Sequence, residues 1–199
     1  MDCASQVEAC GFSPGEVKTA ILTHLHYDHT GAIMDFPEAK FWVHRDELIS
    51  GTGRSGIFGQ NRGYIESDYR DASSLVTYQY VDGAGVGPFD SGFDLMGDGT
   101  VLLLPTPGHT PGHTSVFLTM RDGSQFLVVG DTAFTEAQVT GEVGLGEMPL
   151  KFTRDAEENS ISLEKLRQLY HTTPNLKVVL SHDPEQGELC ANGPVCIYA

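Results

Sequence analysis

Three histidines and a carboxylate crowd into Thr23-His24-Leu25-His26-Tyr27-Asp28-His29-Thr30-Gly31, directly after the apolar run Ala20-Ile21-Leu22. Neutral imidazole nitrogen and carboxylate oxygen are the donors that zinc and its first-row neighbours take. His24 and His26 alternate as residues on one face of an extended strand end do. Asp28 and His29 come after the chain has turned and can face a second ion beside the first. An exposed polar loop would explain the polarity, but not four metal-competent side chains in this order. The stretch therefore reads as half of a dinuclear metal site.

Three further positions follow directly on apolar runs. Thr106-Pro107-Gly108-His109-Thr110-Pro111-Gly112-His113 follows Val101 to Leu104, Gly130-Asp131-Thr132 follows Phe126 to Val129, and His182 follows Val178 to Leu180. Strand ends feeding one sheet edge are where α/β active sites collect.

The elements that must position these groups read as follows. Residues 2 to 10 form the end of a helix stopped by Gly11, and Ser13-Pro14-Gly15-Glu16 is a capped helix start. Thr19 to Leu22 and Phe41 to His44 are strands, with a brief helix over Arg45 to Ile49. Residues 50 to 73 lack periodicity and suit a lid, in which Phe58, Tyr64 and Tyr69 either cover a substrate or anchor the loop to the core. Leu75 to Val81 is a strand. Phe93 to Met96 and Thr100 to Leu104 form a hairpin about Gly97-Asp98-Gly99, and Ser115 to Met120 with Gln125 to Val129 form another. Asp155 to Tyr170 is the best helix, capped by Asp155 and Glu158, with Ile161, Leu163, Leu166 and Leu169 as its apolar side. His171 at its end suits a dipole contact, and Leu176 to Leu180 is a last strand. With no repeat or linker, residues 1–199 read as a single domain.

The chain has 199 residues, 40% hydrophobic and 20% charged, which suits a globular protein. Its 27 acidic and 12 basic residues give a net charge of −15, which argues against nucleic acid and anionic membranes as partners. No run is long enough to span a bilayer and no leader is evident, so the cytoplasm is the default compartment. Cys3, Cys10, Cys190 and Cys196 are too few for a disulfide scaffold. Reduced thiols are expected, although a turn between Cys190 and Cys196 would let those two pair.

The ordered set His-x-His-x-Asp-His, Gly-His, Asp, His resembles the metallo-β-lactamase-fold superfamily of metallo-hydrolases. It covers His24 to His182, most of the chain. The resemblance implies an α/β (α+β) four-layer αββα sandwich with two metals at one end of its sheets. By that likeness His24, His26 and His109 hold the first ion, Asp28, His29 and His182 the second, and Asp131 bridges them. His113 is then a residue orienting His109, and His44, without a partner in the pattern, is a packed or surface histidine. Two divalent ions, zinc foremost with iron, manganese and cobalt also suited, would bring a bridging water's pKa from about 15.7 toward 7. Hydroxide would then attack a carbonyl, with Asp28 carrying its proton to the leaving group.

Within the superfamily the set is most similar to N-acyl-homoserine lactonases, and a lactone or ester is the expected small-molecule substrate. A cysteine typical of one β-lactamase group is missing, and Ser181-His182-Asp183-Pro184-Glu185-Gln186 resembles the lactonase ending. A glyoxalase II would carry a further basic C-terminal segment. β-Lactamase-like or glyoxalase II-like hydrolysis on the same site is the alternative. Diiron redox members fit less well, since they carry a fused flavin domain, and a metal-binding fragment without turnover is a further class. Many such lactonases place a tyrosine three residues after the bridging aspartate, and Phe134 stands there. Only 23 residues precede His24, so the resemblance implies a chain lacking the first strands, whose exposed sheet a homodimer partner would cover.

Overall fold

The computed structural model describes residues 2–53, 55–56, 63–70, 73–183 and 186. Helix α1 (Cys3–Ala9) starts where the Asp2 carboxylate accepts from the Ser5 N–H and ends before Gly11, whose φ of +89° suits glycine. The Ser13 cap and Glu16 are both engaged, but they hold a single 3₁₀ turn, Pro14–Glu16, instead of a longer helix. Next come β1 (Thr19–Ile21), α2 (Tyr27–Thr30), β2 (Lys40–His44) and α3 (Arg45–Gly51). The segment read as a lid contains β3 (Ser55–Gly56) paired with β4 (Tyr64–Ile65). Beyond it lie β5 (Leu75–Tyr78), β6 (Val81–Asp82), β7 (Ser91–Asp94), β8 (Val101–Pro105), β9 (Thr114–Thr119) and β10 (Gln125–Val128). Helices α4 (Glu136–Thr140), α5 (Glu147–Phe152) and α6 (Ala156–Thr172) precede the last strand, β11 (Lys177–Val179).

Two main sheets result. One is parallel with order β1-β2-β5; the other runs β11-β10-β9-β8-β7-β6, antiparallel except for the β10–β11 pair. Side chains alternate across each strand and so divide the apolar residues among three interfaces. Ile21, Trp42 and Tyr78 meet Leu103, Val116 and Leu118 between the sheets. Phe41 and Val43 face outward onto the helical side of the first sheet, with Leu25, Ile33 and Tyr69. Leu104, Phe117 and Leu127 face α4 and α6 through Val139, Leu163, Leu166 and Leu169. Helix, sheet, sheet, helix: this is the αββα sandwich.

Several expectations are corrected. Ile161, assigned to the apolar side of α6, is 56% exposed, because it lies two residues before Leu163 on the solvent face. The strand expected to reach Met96 stops at Asp94, whose carboxylate accepts from the Gly97 and Gly99 N–H groups and turns the chain. Tyr64 and Tyr69 are both buried, and the Tyr69 hydroxyl donates to the Gly51 carbonyl, so they anchor the segment. Phe58 lies outside the described residues. Cys10 is disulfide-bonded, against the expected reduced thiols. Cys3 is free and exposed, whereas Cys190 and Cys196 lie outside the described residues. No helix among the described residues is long and apolar enough to cross a membrane.

Candidate metal centre

Strands β8 and β10 both run antiparallel to β9, and β11 runs parallel to β10, so all three point their C-terminal ends the same way. The loops that follow them carry His109, Asp131 and His182. From the other sheet β1 delivers His24, and the Thr114 N–H donates to the Thr23 carbonyl at 2.9 Å, joining the two loop systems. His26 stays extended (φ −70°, ψ 153°) and starts the short helix α2, whose turn presents Asp28 and His29.

The seven side chains form two groups. His24, His26 and His109 are all buried, and so is Asp131, while Asp28 and His182 reach solvent. Within each group, His24/His26/His109 and Asp28/His29/Asp131/His182, the donor atoms lie within 4.8 Å of one another. Asp131 touches both: its Oδ2 is 3.4 Å from His109 Nε2 and 3.3 Å from His182 Nε2, and its Oδ1 is 3.2 Å from His29 Nε2.

Burial and the neighbouring imidazoles keep His24 and His109 neutral far below the ordinary histidine range, and burial lowers His26 to about 4. Burial alone would raise the Asp131 carboxyl, but the contacts from His182 and His29 hold it well below the usual carboxylate range. Contact with Asp131 in turn raises His182. The neutral imidazoles of His24, His26 and His109 beside an ionised carboxylate are donors in the protonation state that binds a cation.

The arrangement also suits one. His26 Nδ1 and His109 Nε2 share a hydrogen bond at 3.0 Å, while His24 Nε2, His29 Nε2 and Asp131 Oδ1 are buried without hydrogen-bond partners. Buried polar atoms left so are unfavourable, and a positive ion among them would offset that cost. The residues present therefore fit two divalent ions.

A second layer fixes the set. His113 accepts the Asp131 N–H on Nε2 at 2.9 Å, and its Nδ1 lies 2.9 Å from Thr106 Oγ1. It thus props the Asp131 turn and not, as expected, His109. Gly130 (φ +58°) is obligatory there, since a Cβ would sit 2.5 Å from His113 Nε2. The start of α6 clamps the His109 loop: Arg154 and Asp155 N–H groups donate to the His109 and Gly108 carbonyls, and Ser162 Oγ donates to the Pro107 carbonyl. Asn159 Nδ2 reaches the Thr132 carbonyl at 3.2 Å. His44 is packed, as expected, stacked 4.4 Å from Tyr80 and capping α3 through the Asp46 N–H. His171 contacts the Thr140 carbonyl at the end of α6.

Glu47 is the residue that sequence reasoning missed. Fully buried on α3, it accepts from the Leu25 and Gly112 N–H groups and the Tyr64 hydroxyl. Nothing in the pattern Arg45 to Ile49 separates it from a surface glutamate.

His26, Asp28, His109, Asp131 and His182 line a cavity of about 200 Å³ whose remaining wall is Tyr27, Gly63, Phe134 and Phe152. Phe134 stacks on His182 at 5.2 Å. With this geometry, residues 2–182 match the family described as the metallo-beta-lactamase superfamily. The chain belongs to the metallo-β-lactamase superfamily. It is 34% identical over 183 residues to the N-acyl homoserine lactonase AttM of Agrobacterium fabrum, covering 92% of this chain and 64% of that protein. A gamma-lactamase of Gibberella moniliformis is 30% identical over 137 residues, covering 65% of this chain and 54% of that protein. Among solved structures, an N-acyl homoserine lactone hydrolase with N-hexanoyl-L-homoserine at its metal centre matches with a TM-score of 0.70 and 22% identity, over 94% of this chain and 64% of that one. The dizinc lactonase AidC matches with a TM-score of 0.65 and 18% identity, over 91% of this chain and 62% of that one. The chain spans about 64% of the length of the curated lactonases it matches. The two-sheet sandwich is the fold that the motifs from His24 to His182 led us to expect.

Proposed function

We propose that the protein is a dinuclear metal-dependent hydrolase of lactones or related esters, similar in action to the N-acyl homoserine lactonases. The observation that carries the reading is the convergence of two donor groups on Asp131 at the floor of an aromatic-walled cavity. His24, His26 and His109 would hold one ion, Asp28, His29 and His182 the other, with Asp131 between them. Zinc is the first expectation, and iron, manganese and cobalt accept the same donors. When bound, such ions supply Lewis acidity toward a carbonyl oxygen and water acidic enough to ionise near neutral pH.

The chain's own residues do the rest. Asp28 Oδ2 lies 3.6 Å from His182 Nε2 at the cavity wall, and its carboxylate takes a proton from the attacking water and returns it to the leaving oxygen. Phe134 and Phe152 present apolar surface to an acyl group and exclude water from that side. Phe134 has no hydroxyl, so it offers no hydrogen bond to a developing oxyanion. Residues 1–199 act in this reading as one domain. A homodimer is part of the proposal, since β1 pairs on one side only among the described residues.

Purified protein assayed on N-acyl homoserine lactones, thioesters and β- and γ-lactams tests the reading, beside Asp28→Asn. Lactone turnover lost by at least about 10²-fold in the variant is expected. Turnover of lactams alone would favour the second reading, which the gamma-lactamase relative supports. No turnover of any of these by a metal-loaded protein would sink both.

A further inference from the structure

Glu47 contributes no atom to the cavity, yet it is the one fully buried carboxylate among the described residues outside the proposed ligand set. Its two oxygens divide their work. Oε1 accepts the Leu25 N–H and the Tyr64 hydroxyl, both at 3.0 Å, and Oε2 accepts the Gly112 N–H at 3.0 Å. Leu25 is the residue between His24 and His26. Gly112 closes the tight loop that carries His109. One carboxylate therefore ties together the two loops that supply the three-histidine group.

The contact is close enough to exclude alternatives. A Cβ on Gly112 would sit 2.2 Å from the Glu47 backbone nitrogen, so that loop lies directly on the first turn of α3. His44 caps that turn through the Asp46 N–H, which fixes where Glu47 starts. The Leu25 and Gly112 N–H groups and the Tyr64 hydroxyl all donate, so a carboxylate satisfies each, whereas an amide would turn an N–H group toward one of them. Tyr64 extends the tie, since its ring packs edge-on against His26 at 5.0 Å.

We propose that Glu47 is a positioning residue for the His24/His26/His109 metal position: it sets the spacing of the two loops and leaves the Asp28/His29/His182 position to other supports. This rests on the dinuclear reading above. Partners that orient a ligand from behind are worth about 10- to 100-fold in metal affinity.

The test is a cobalt(II) titration of metal-free protein, followed by its visible spectrum, on the parent, Glu47→Gln, His182→Ala and the double variant. The expected result is two binding steps in the parent. Glu47→Gln should weaken one of them about 10- to 100-fold, with its thermal midpoint reported alongside. His182→Ala should weaken the other, and the double variant both. A double variant that matches His182→Ala alone would overturn the proposal, and so would equal weakening of both steps in Glu47→Gln, the mark of general destabilisation. A parent that binds no cobalt would instead sink the dinuclear reading. Should Glu47→Gln fail to fold, the metal-free parent decides. Leu25 and Gly112 amide protons protected from exchange and shifted by the first equivalent of cobalt support the tie, while fast exchange at both overturns it.

Discussion

Buried histidines do two separate jobs in this chain. His24, His26 and His109 bring their ring nitrogens together beside Asp131, whereas His113 and His44 are engaged by backbone and aromatic neighbours. The pH response differs accordingly. His44 is held below the ordinary histidine value of 6.5, chiefly by burial, with Asp46 opposing and Arg45 adding to the shift. The unfolded chain thus takes up a proton before the folded one does, and stability falls as pH drops below about 6.5. His44→Asn keeps an acceptor for the Asp46 N–H but does not titrate, so its urea midpoint should fall less than the parent's between neutral and mildly acidic pH. An identical fall in both would contradict this. At this scale the convergence of the seven side chains was legible, because His and Asp at these spacings have few other uses. Glu47 was not, since its role depends on backbone N–H groups from two loops, which no side-chain pattern displays. His113 was misassigned for the same reason: its partner is the backbone of Asp131.

Elements position the site by pressing loops onto helix ends. The Gly108 loop lies on the start of α6, where a Cβ would meet the Asn159 backbone nitrogen at 2.1 Å, and its φ of +128° is strained for any other residue. Gly108→Ala should therefore cost about 1–3 kcal/mol of stability and disturb His109 directly. Chemical denaturation and metal affinity should both register it, and loss of stability with unchanged affinity would show that the loop does not need this contact. Deeper in α6, Leu166→Ala opens a cavity at a fully buried position and should cost about 2–5 kcal/mol. Both hairpins of the second sheet and α6 follow from turn residues and periodicity. Short α4 and α5 carry too few turns to show a period, and Ile161 misled because apolar residues also stand on solvent faces.

For the whole molecule, three apolar interfaces build a sandwich that places two sheets' loops at one mouth, and a centre assembled from both sheets would couple metal binding to the fold. Chelation should lower the thermal midpoint and added zinc should restore it, by roughly 2.7 kcal/mol once free metal exceeds its dissociation constant a hundredfold. A midpoint indifferent to chelator would deny that coupling. The sandwich was legible only through the order of its motifs, because the pairing of β1 with β2 and of β10 with β11 is parallel and non-local. The most direct test of the central claim is metal content per chain by elemental analysis of dialysed protein, beside Asp131→Ala. The account expects close to two ions in the parent and a clear loss in the variant, since Asp131 touches both groups. A folded parent with no bound metal, or a variant that keeps its full complement, would contradict it.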